Sequence, residues 1–272
     1  MLITTDGLIT RSYPSGDHDR VVHLVTPEHG RLSVMVKGGQ SKQNRHAAIT
    51  QLFTYGNYEL YHKNGEIYWL RGGSVLHSFY SLTEDLSRMA LATYLCDVTS
   101  ELTGEGERAE SLLRMLLNTL YAINAGTNTP AIIKGVFELR AMAMEGYMPG
   151  LDGCSVCGAP YPDQSYFDIM NGSLICADCQ TAFNRQRSEF NAAELGERRI
   201  ICPMTASTLA AVRYAVSAPA KKIFSFTLAD REEELFFSRA AETYLLHQLE
   251  RGFDTLDFYH TVEESLPQGE SK

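Results

Sequence analysis

No stretch of this chain approaches the roughly 18 consecutive apolar residues that a membrane helix needs. The opening "MLITTDGLIT" also lacks the charged start and long apolar run of a secretory leader, so the expected setting is cytoplasmic. Nucleotide and nucleophile signatures are missing as well. There is no G-x-x-x-x-G-K-[ST], G-x-G-x-x-G, H-E-x-x-H or G-x-S-x-G, which removes the usual routes to ATP cradling, dinucleotide binding, zincin chemistry and hydrolase catalysis. Positive charge is scarce: 24 Lys and Arg stand against 33 Asp and Glu, a net charge of -9. That average hides an asymmetry, because residues 1–80 carry eight cations against six anions and the remainder carries sixteen against twenty-seven. A polyanionic partner, if there is one, is expected at the N-terminal part.

At 272 residues the chain is long enough for two or three units. The runs "GLITRSY", "RVVHLVT", "RLSVMVKG", "LFTYGNYELYH" and "EIYWLRGGSVLH" are rich in Val, Ile, Tyr and Thr, and turn residues separate them. Five such strands predict a small antiparallel barrel over residues 1–80, OB-like, with an SH3-like barrel as the alternative. In the turn "GDHDR", Gly and Asp are read as turn formers rather than as an acid–base cluster. Beyond Phe79 the apolar period lengthens to about 3.6 residues. Leu91, Leu95, Val98 and Leu102 form one stripe from Thr83, with Leu113, Leu116 and Leu120 in the next run and Ile132, Val136 and Leu139 in a third. Thr129 with Pro130 marks a helix start and Gly146 a stop; further helices are predicted at 203–217, opening on Pro203, and 230–250, capped by Asp230 with Glu233. A helical domain over 81–150 and 186–255 follows, with an insert at 151–185 and a disordered polar tail at 256–272.

The insert holds four of the six cysteines, Cys154, Cys157, Cys176 and Cys179, as two Cys-x-x-Cys pairs. Between them, Asn171-Gly172 joins two apolar runs as a hairpin would. Two such knuckles present four thiolates to one zinc ion and leave no position open, which is the pattern of a structural site. A redox pair would need a βαβ setting that is absent here. Cys96 and Cys202 have no nearby partner in sequence and read as small buried residues. Arg11, Arg20, Arg31, Lys37, Lys42 and Arg45 are the candidate phosphate contacts, and Tyr58, Tyr61, Tyr68 and Trp69 are strand aromatics that suit either a core or base stacking.

Three segments, "GLITRSYPSGDHDRVVHLVTPEHGRLSVMVKGG", "FELRAMAMEGYMPGLDGCSVCG" and "GSLICADC", occur in this order. In them the chain resembles the RecO family of bacterial recombination and repair mediators over about two thirds of its length. The resemblance implies an α+β multidomain protein: an N-terminal five-stranded OB-fold barrel, a helical bundle and an inserted four-cysteine zinc element. It further implies a job without turnover, namely binding single- and double-stranded DNA, annealing strands, and working with RecR to load RecA onto DNA coated by single-strand-binding protein. The segment after Lys37-Gly38, often strongly basic in such proteins, keeps Lys42, Arg45 and His46 here. The competing reading is a zinc-dependent nuclease or deaminase; a deaminase would need an H-x-E beside an open metal position. For an acidic, Phe-ended partner tail, a groove near Arg114, Lys134 and Arg140 is the expected place.

Overall fold

The computed structural model describes residues 1–62, 65, 67–160, 164–189 and 199–265. The chain divides into two units, one of Met1–Gly126 with the segment from Phe253 and one of Thr127–Gly252.

In the first unit, β1 (Leu2–Ser15), β2 (Asp19–Thr26), β3 (Gly30–Val36), β4 (Thr54–His62) and β5 (Ile67–Ser78) close a barrel in the order β1-β2-β3-β5-β4. This is the OB arrangement. Closure depends on the length of β1, whose first half pairs with β4 and whose second half pairs with β2. Gly7 stands where the two halves meet, and a Cβ there would lie 2.7 Å from Leu24 Cδ1. The period of two is visible in β3, where Leu32, Val34 and Val36 point inward with Ile9, Val22, Leu24 and Leu60. Tyr58 joins them, its hydroxyl donating to the Ile49 carbonyl at 2.8 Å, so this aromatic is core and not a stacking platform. Tyr68 packs on the same core.

Three helices complete this unit: α1 (Leu86–Glu101), α2 (Glu110–Ala125) and the last helix of the chain, Asp254–Ser265. Thr83 lies in a short 3-10 turn before α1, and Asp85 caps the helix by accepting from the Arg88 N–H at 2.9 Å. Residues 254–265 correct the expectation of a disordered tail, which otherwise falls on residues outside those described. Leu256, Tyr259 and Val262 recur every three residues and are buried, and Thr255 donates to Asp97 of α1 at 3.0 Å. A stripe this short, set among charges, escapes a search for long periodic runs.

The second unit contains α3 (Pro130–Met144), β6 (Gly150–Cys154), β7 (Ser165–Asp168), β8 (Ser173–Cys176), α4 (Ala177–Glu189), β9 (Ile201–Met204), α5 (Ala206–Ser217) and α6 (Arg231–Leu249); the last helix of the chain is α7. Thr129 caps α3 and Asp230 caps α6 as the sequence predicts. Glu233 reaches back to the Ala229 N–H at 3.3 Å rather than to that of Asp230. The helix expected from Pro203 starts later. Residues 201–204 form β9 at the edge of a sheet ordered β6-β8-β7-β9, where a proline that cannot donate is tolerated, and Thr205 then caps α5 by accepting from Thr208 N at 3.0 Å.

Helices α3 and α6 approach closely at Gly135, where a Cβ would lie 2.6 Å from a Phe237 ring carbon. At the preceding residue, Lys134 Nζ sits 2.9 Å from Glu138 and 2.6 Å from Glu242. Lys134 is 1% exposed, so it is closed to any partner's tail. Removing one member of a buried ion set leaves its partner's charge stranded. Lys134→Met is therefore expected to cost about 3–5 kcal/mol of stability, read as a lowered urea midpoint at unchanged slope; an unchanged midpoint would refute that.

Candidate metal centre and nucleic-acid interface

The thiolate cluster is built by strand pairing. β7 and β8 form the hairpin that Asn171-Gly172 predicts, with Ser165 opposite Cys176 and Asp168 opposite Ser173. β6 lies parallel to β8 and brings Cys154 beside Leu174. Cys176 ends β8, and Cys179 stands in the first turn of α4. The first knuckle is closed by the Gly158 N–H donating to the Cys154 carbonyl at 2.9 Å, with Gly158 at φ 73°.

The four Sγ atoms lie within 4.8 Å of one another, and those of Cys157 and Cys176 are 3.7 Å apart. Tetrahedral zinc with bonds of about 2.3 Å would separate its sulfurs by about 3.8 Å, so the donor set fits such an ion. The Cys176 N–H also donates to Cys154 Sγ at 3.3 Å. Burial raises the Cys154 thiol, but the backbone donors of Cys157, Cys176 and Val156 outweigh it and bring the group down to about 6. Ile175, Tyr166, Phe183 and Ile201 pack around the cluster. Cys96 is fully buried in α1, and burial pushes its thiol up; Cys202 is half-buried opposite Phe167. Neither joins the four.

The barrel exterior carries the second feature. Reading across the strands, Tyr13 opposes Val21, Val21 opposes Met35, Met35 opposes Trp69, and Trp69 opposes Tyr61. Since the core alternates with the exterior, these five positions share the outer face of all five strands as one row, with Tyr13 exposed, Met35, Tyr61 and Trp69 partly exposed and Val21 buried. Cations bracket it. Lys37 Nζ lies 5.1 Å from the centre of the Trp69 ring and the Arg71 guanidinium 5.0 Å from that of Tyr61. Arg45, exposed, donates to the Arg71 carbonyl at 3.5 Å and to His46 at 2.9 Å. His46 is held below its ordinary value by burial and then by Arg45. Lys42 is exposed in the loop after β3, which Asn44 ties to the Lys37 carbonyl at 2.8 Å.

The other predicted cations have different surroundings. Arg11 is exposed opposite His23. Arg20 donates to the Gly39 carbonyl at 3.3 Å and to Ser12 at 3.0 Å, and Arg31 to the Ser100 carbonyl at 2.9 Å. Arg20 and Arg31 thus spend donors on the fold and are partly buried, while Lys37 and Lys42 are exposed and Arg45 is exposed with two of its donors used locally. Arg71 escaped the sequence reading, although its signal was present: in "YWLRG" Tyr68 and Leu70 face inward, which turns Trp69 and Arg71 outward. Arg114 is paired with Glu110 at 2.5 Å, and Arg140 donates to the Val216 carbonyl. Arg114 belongs to the first unit and Arg140 and the buried Lys134 to the second. Chemically, the barrel row offers aromatic rings for stacking and exposed cations for phosphates, the combination that single-stranded nucleic acid needs.

Among the described residues no helix is long and apolar enough to cross a membrane. Comparison with known proteins bears on both features. The family model for the recombination protein O N-terminal domain matches residues 1–79, and that for its C-terminal domain matches residues 83–257. A protein named DNA repair protein RecO from Acetivibrio thermocellus is 26% identical over 262 residues, covering 96% of this chain and 97% of its own. Proteins of the same name from Anaeromyxobacter sp. and Bacillus pumilus are 34% and 32% identical over 175 and 179 residues, spanning 64% and 66% of this chain and 68% and 69% of theirs. With both family models together spanning the OB barrel, the helices and the four-cysteine element, the chain belongs to the RecO family of DNA repair and recombination proteins.

Proposed function

We propose that this protein is a recombination mediator that acts without turnover. The barrel, residues 1–80, binds single- and double-stranded DNA on its exterior and brings complementary strands together. With RecR, the protein then helps load RecA onto strands coated by single-strand-binding protein. The observation that carries the DNA-binding part is the row Tyr13–Val21–Met35–Trp69–Tyr61 with Lys37, Arg45 and Arg71 around it. Bases stack on the aromatic faces while Lys37, Lys42, Arg45 and Arg71 meet phosphates, and Arg11 extends the contact along β1. Neither kind of contact reads base identity, so binding is expected to be tolerant of sequence.

The metal we assign to the four cysteines is zinc, in a structural role. Four thiolates complete its tetrahedral shell, and the cluster's surroundings are the apolar packing of the β6–β9 sheet. That argues for holding a shape over activating water.

Annealing tests the mediator reading. Two complementary labelled oligonucleotides are expected to pair faster with the protein than without it, in proportion to protein concentration and equally with or without ATP. ATP hydrolysis, strand cutting or base deamination by protein freed of contaminants would overturn it. Association with RecR and with single-strand-binding protein is expected in sedimentation of the purified components.

A further inference from the structure

The first unit has one more concave feature, on surfaces that the barrel row does not use. A cavity of about 600 Å³ is formed by β1, β4, the β2–β3 turn and α2, with Asp6, Glu28, Asn57, Glu110, Arg114 and Leu117 in its lining. Asp6 is fixed there by Asn57 Nδ2, which donates to it at 2.8 Å. The neighbouring Tyr55 phenol is pushed up, first by burial, then by the Asp6 carboxylate and by its hydrogen bond with it. Among the described residues no Lys, Arg or His lies within ion-pair distance of Asp6 or Glu28. Glu110 does have a partner in Arg114.

The surroundings reinforce the sign. Residues 81–126 and 253–265 carry Arg88, Arg108 and Arg114 against eleven Asp and Glu, a balance of -8. Such a field repels DNA and attracts cations. Leu117 of α2, partly exposed over the buried Leu113, adds an apolar patch, which a simple ion would leave unused.

We propose that this groove receives a basic segment of a partner protein, with an Arg or Lys head entering between Asp6 and Glu28 and an apolar neighbour resting on Leu117. The inference goes beyond the DNA-binding reading and does not rest on it. A charged head held by a preset carboxylate, beside a short apolar anchor, gives orientation and rapid encounter more than raw affinity.

A fluorescein-labelled hexapeptide of alternating arginine and leucine is the probe, titrated with the full chain and followed by anisotropy. Asp6→Asn with Glu28→Gln is expected to weaken it roughly tenfold, two ion pairs at the upper end of their usual worth. Asp257→Asn with Glu264→Gln removes the same charge from exposed positions on α7 and is expected to change binding less than about twofold, a distant and screened effect. Glu28→Lys, at an exposed turn position, repeats the test without touching Asp6, and circular dichroism checks that each variant is folded. Binding of a labelled oligonucleotide is expected to stay intact in all three. Equal losses in the two double variants would reduce the effect to net charge and overturn the proposal, as would no loss at Glu28→Lys. Displacement of the peptide by millimolar magnesium at constant ionic strength, or dimerisation of the chain that Asp6→Asn with Glu28→Gln abolishes, would also overturn it.

Discussion

Cys176→Ser is expected to leave the protein without stoichiometric zinc and with its β6–β9 sheet unfolded. The wild type should carry about one zinc per chain. Metal binding in small thiolate domains is also folding free energy, with apparent values of about 10–16 kcal/mol. The effect should concentrate in this insert because its strands are short, β6, β7, β8 and β9 being four or five residues long. Cys176 matters twice, as a ligand 3.7 Å from Cys157 and through its backbone N–H, which donates to Cys154 Sγ. Hydrogen exchange over residues 150–160 and 165–183 should rise to rates typical of unfolded chain, while the barrel keeps its protection. A serine variant that retains zinc, or a metal-free wild type with a protected insert, would refute the structural role.

Removing Lys37 and Arg71 together is expected to weaken single-stranded DNA binding by an order of magnitude or more and to flatten its salt dependence. If Lys37, Lys42, Arg45 and Arg71 neutralise about four phosphates, the log–log slope should be about -3, from roughly -0.7 per phosphate. Lys37→Ala with Arg71→Ala should flatten it by about 1.4. Trp69→Ala separates the other contribution, since losing a stacked base costs about 1–3 kcal/mol without releasing counterions. Its affinity should fall while its slope stays unchanged. Arg20→Ala and Arg31→Ala should behave differently again: both side chains bond to carbonyls of their own unit, and their loss should lower stability first. An unchanged slope in folded Lys37→Ala with Arg71→Ala would move the DNA off this face.

The elements that announce themselves in the sequence are those whose local chemistry and tertiary role agree. The five strands have period two and Gly-rich turns, Thr129 and Asp230 are true N-caps, and the Asn171-Gly172 hairpin brings the two cysteine knuckles together. What stayed hidden depended on partners far along the chain. β9 is a strand because β7 offers it an edge, opposing Cys202 to Phe167, and nothing in "IICPM" itself says so. α7 exists because α1 receives Leu256, Tyr259 and Val262. Lys134 reads as a surface cation until α6 supplies Glu242. For the candidate site, residue type and exposure were separable only in part: Arg20 and Lys37 look alike in sequence, yet one binds the fold and the other a tryptophan face.

That tryptophan offers the most direct measurement, because Trp69 is the one tryptophan in the chain. Its emission therefore reports the proposed DNA face without a label or a mutation. Titrating the wild-type protein with an unlabelled oligothymidine should quench Trp69 saturably, with the same midpoint as anisotropy of a labelled strand. Added salt should reverse the quench along the same slope as the binding. DNA binding by anisotropy with Trp69 emission unchanged throughout would contradict the account.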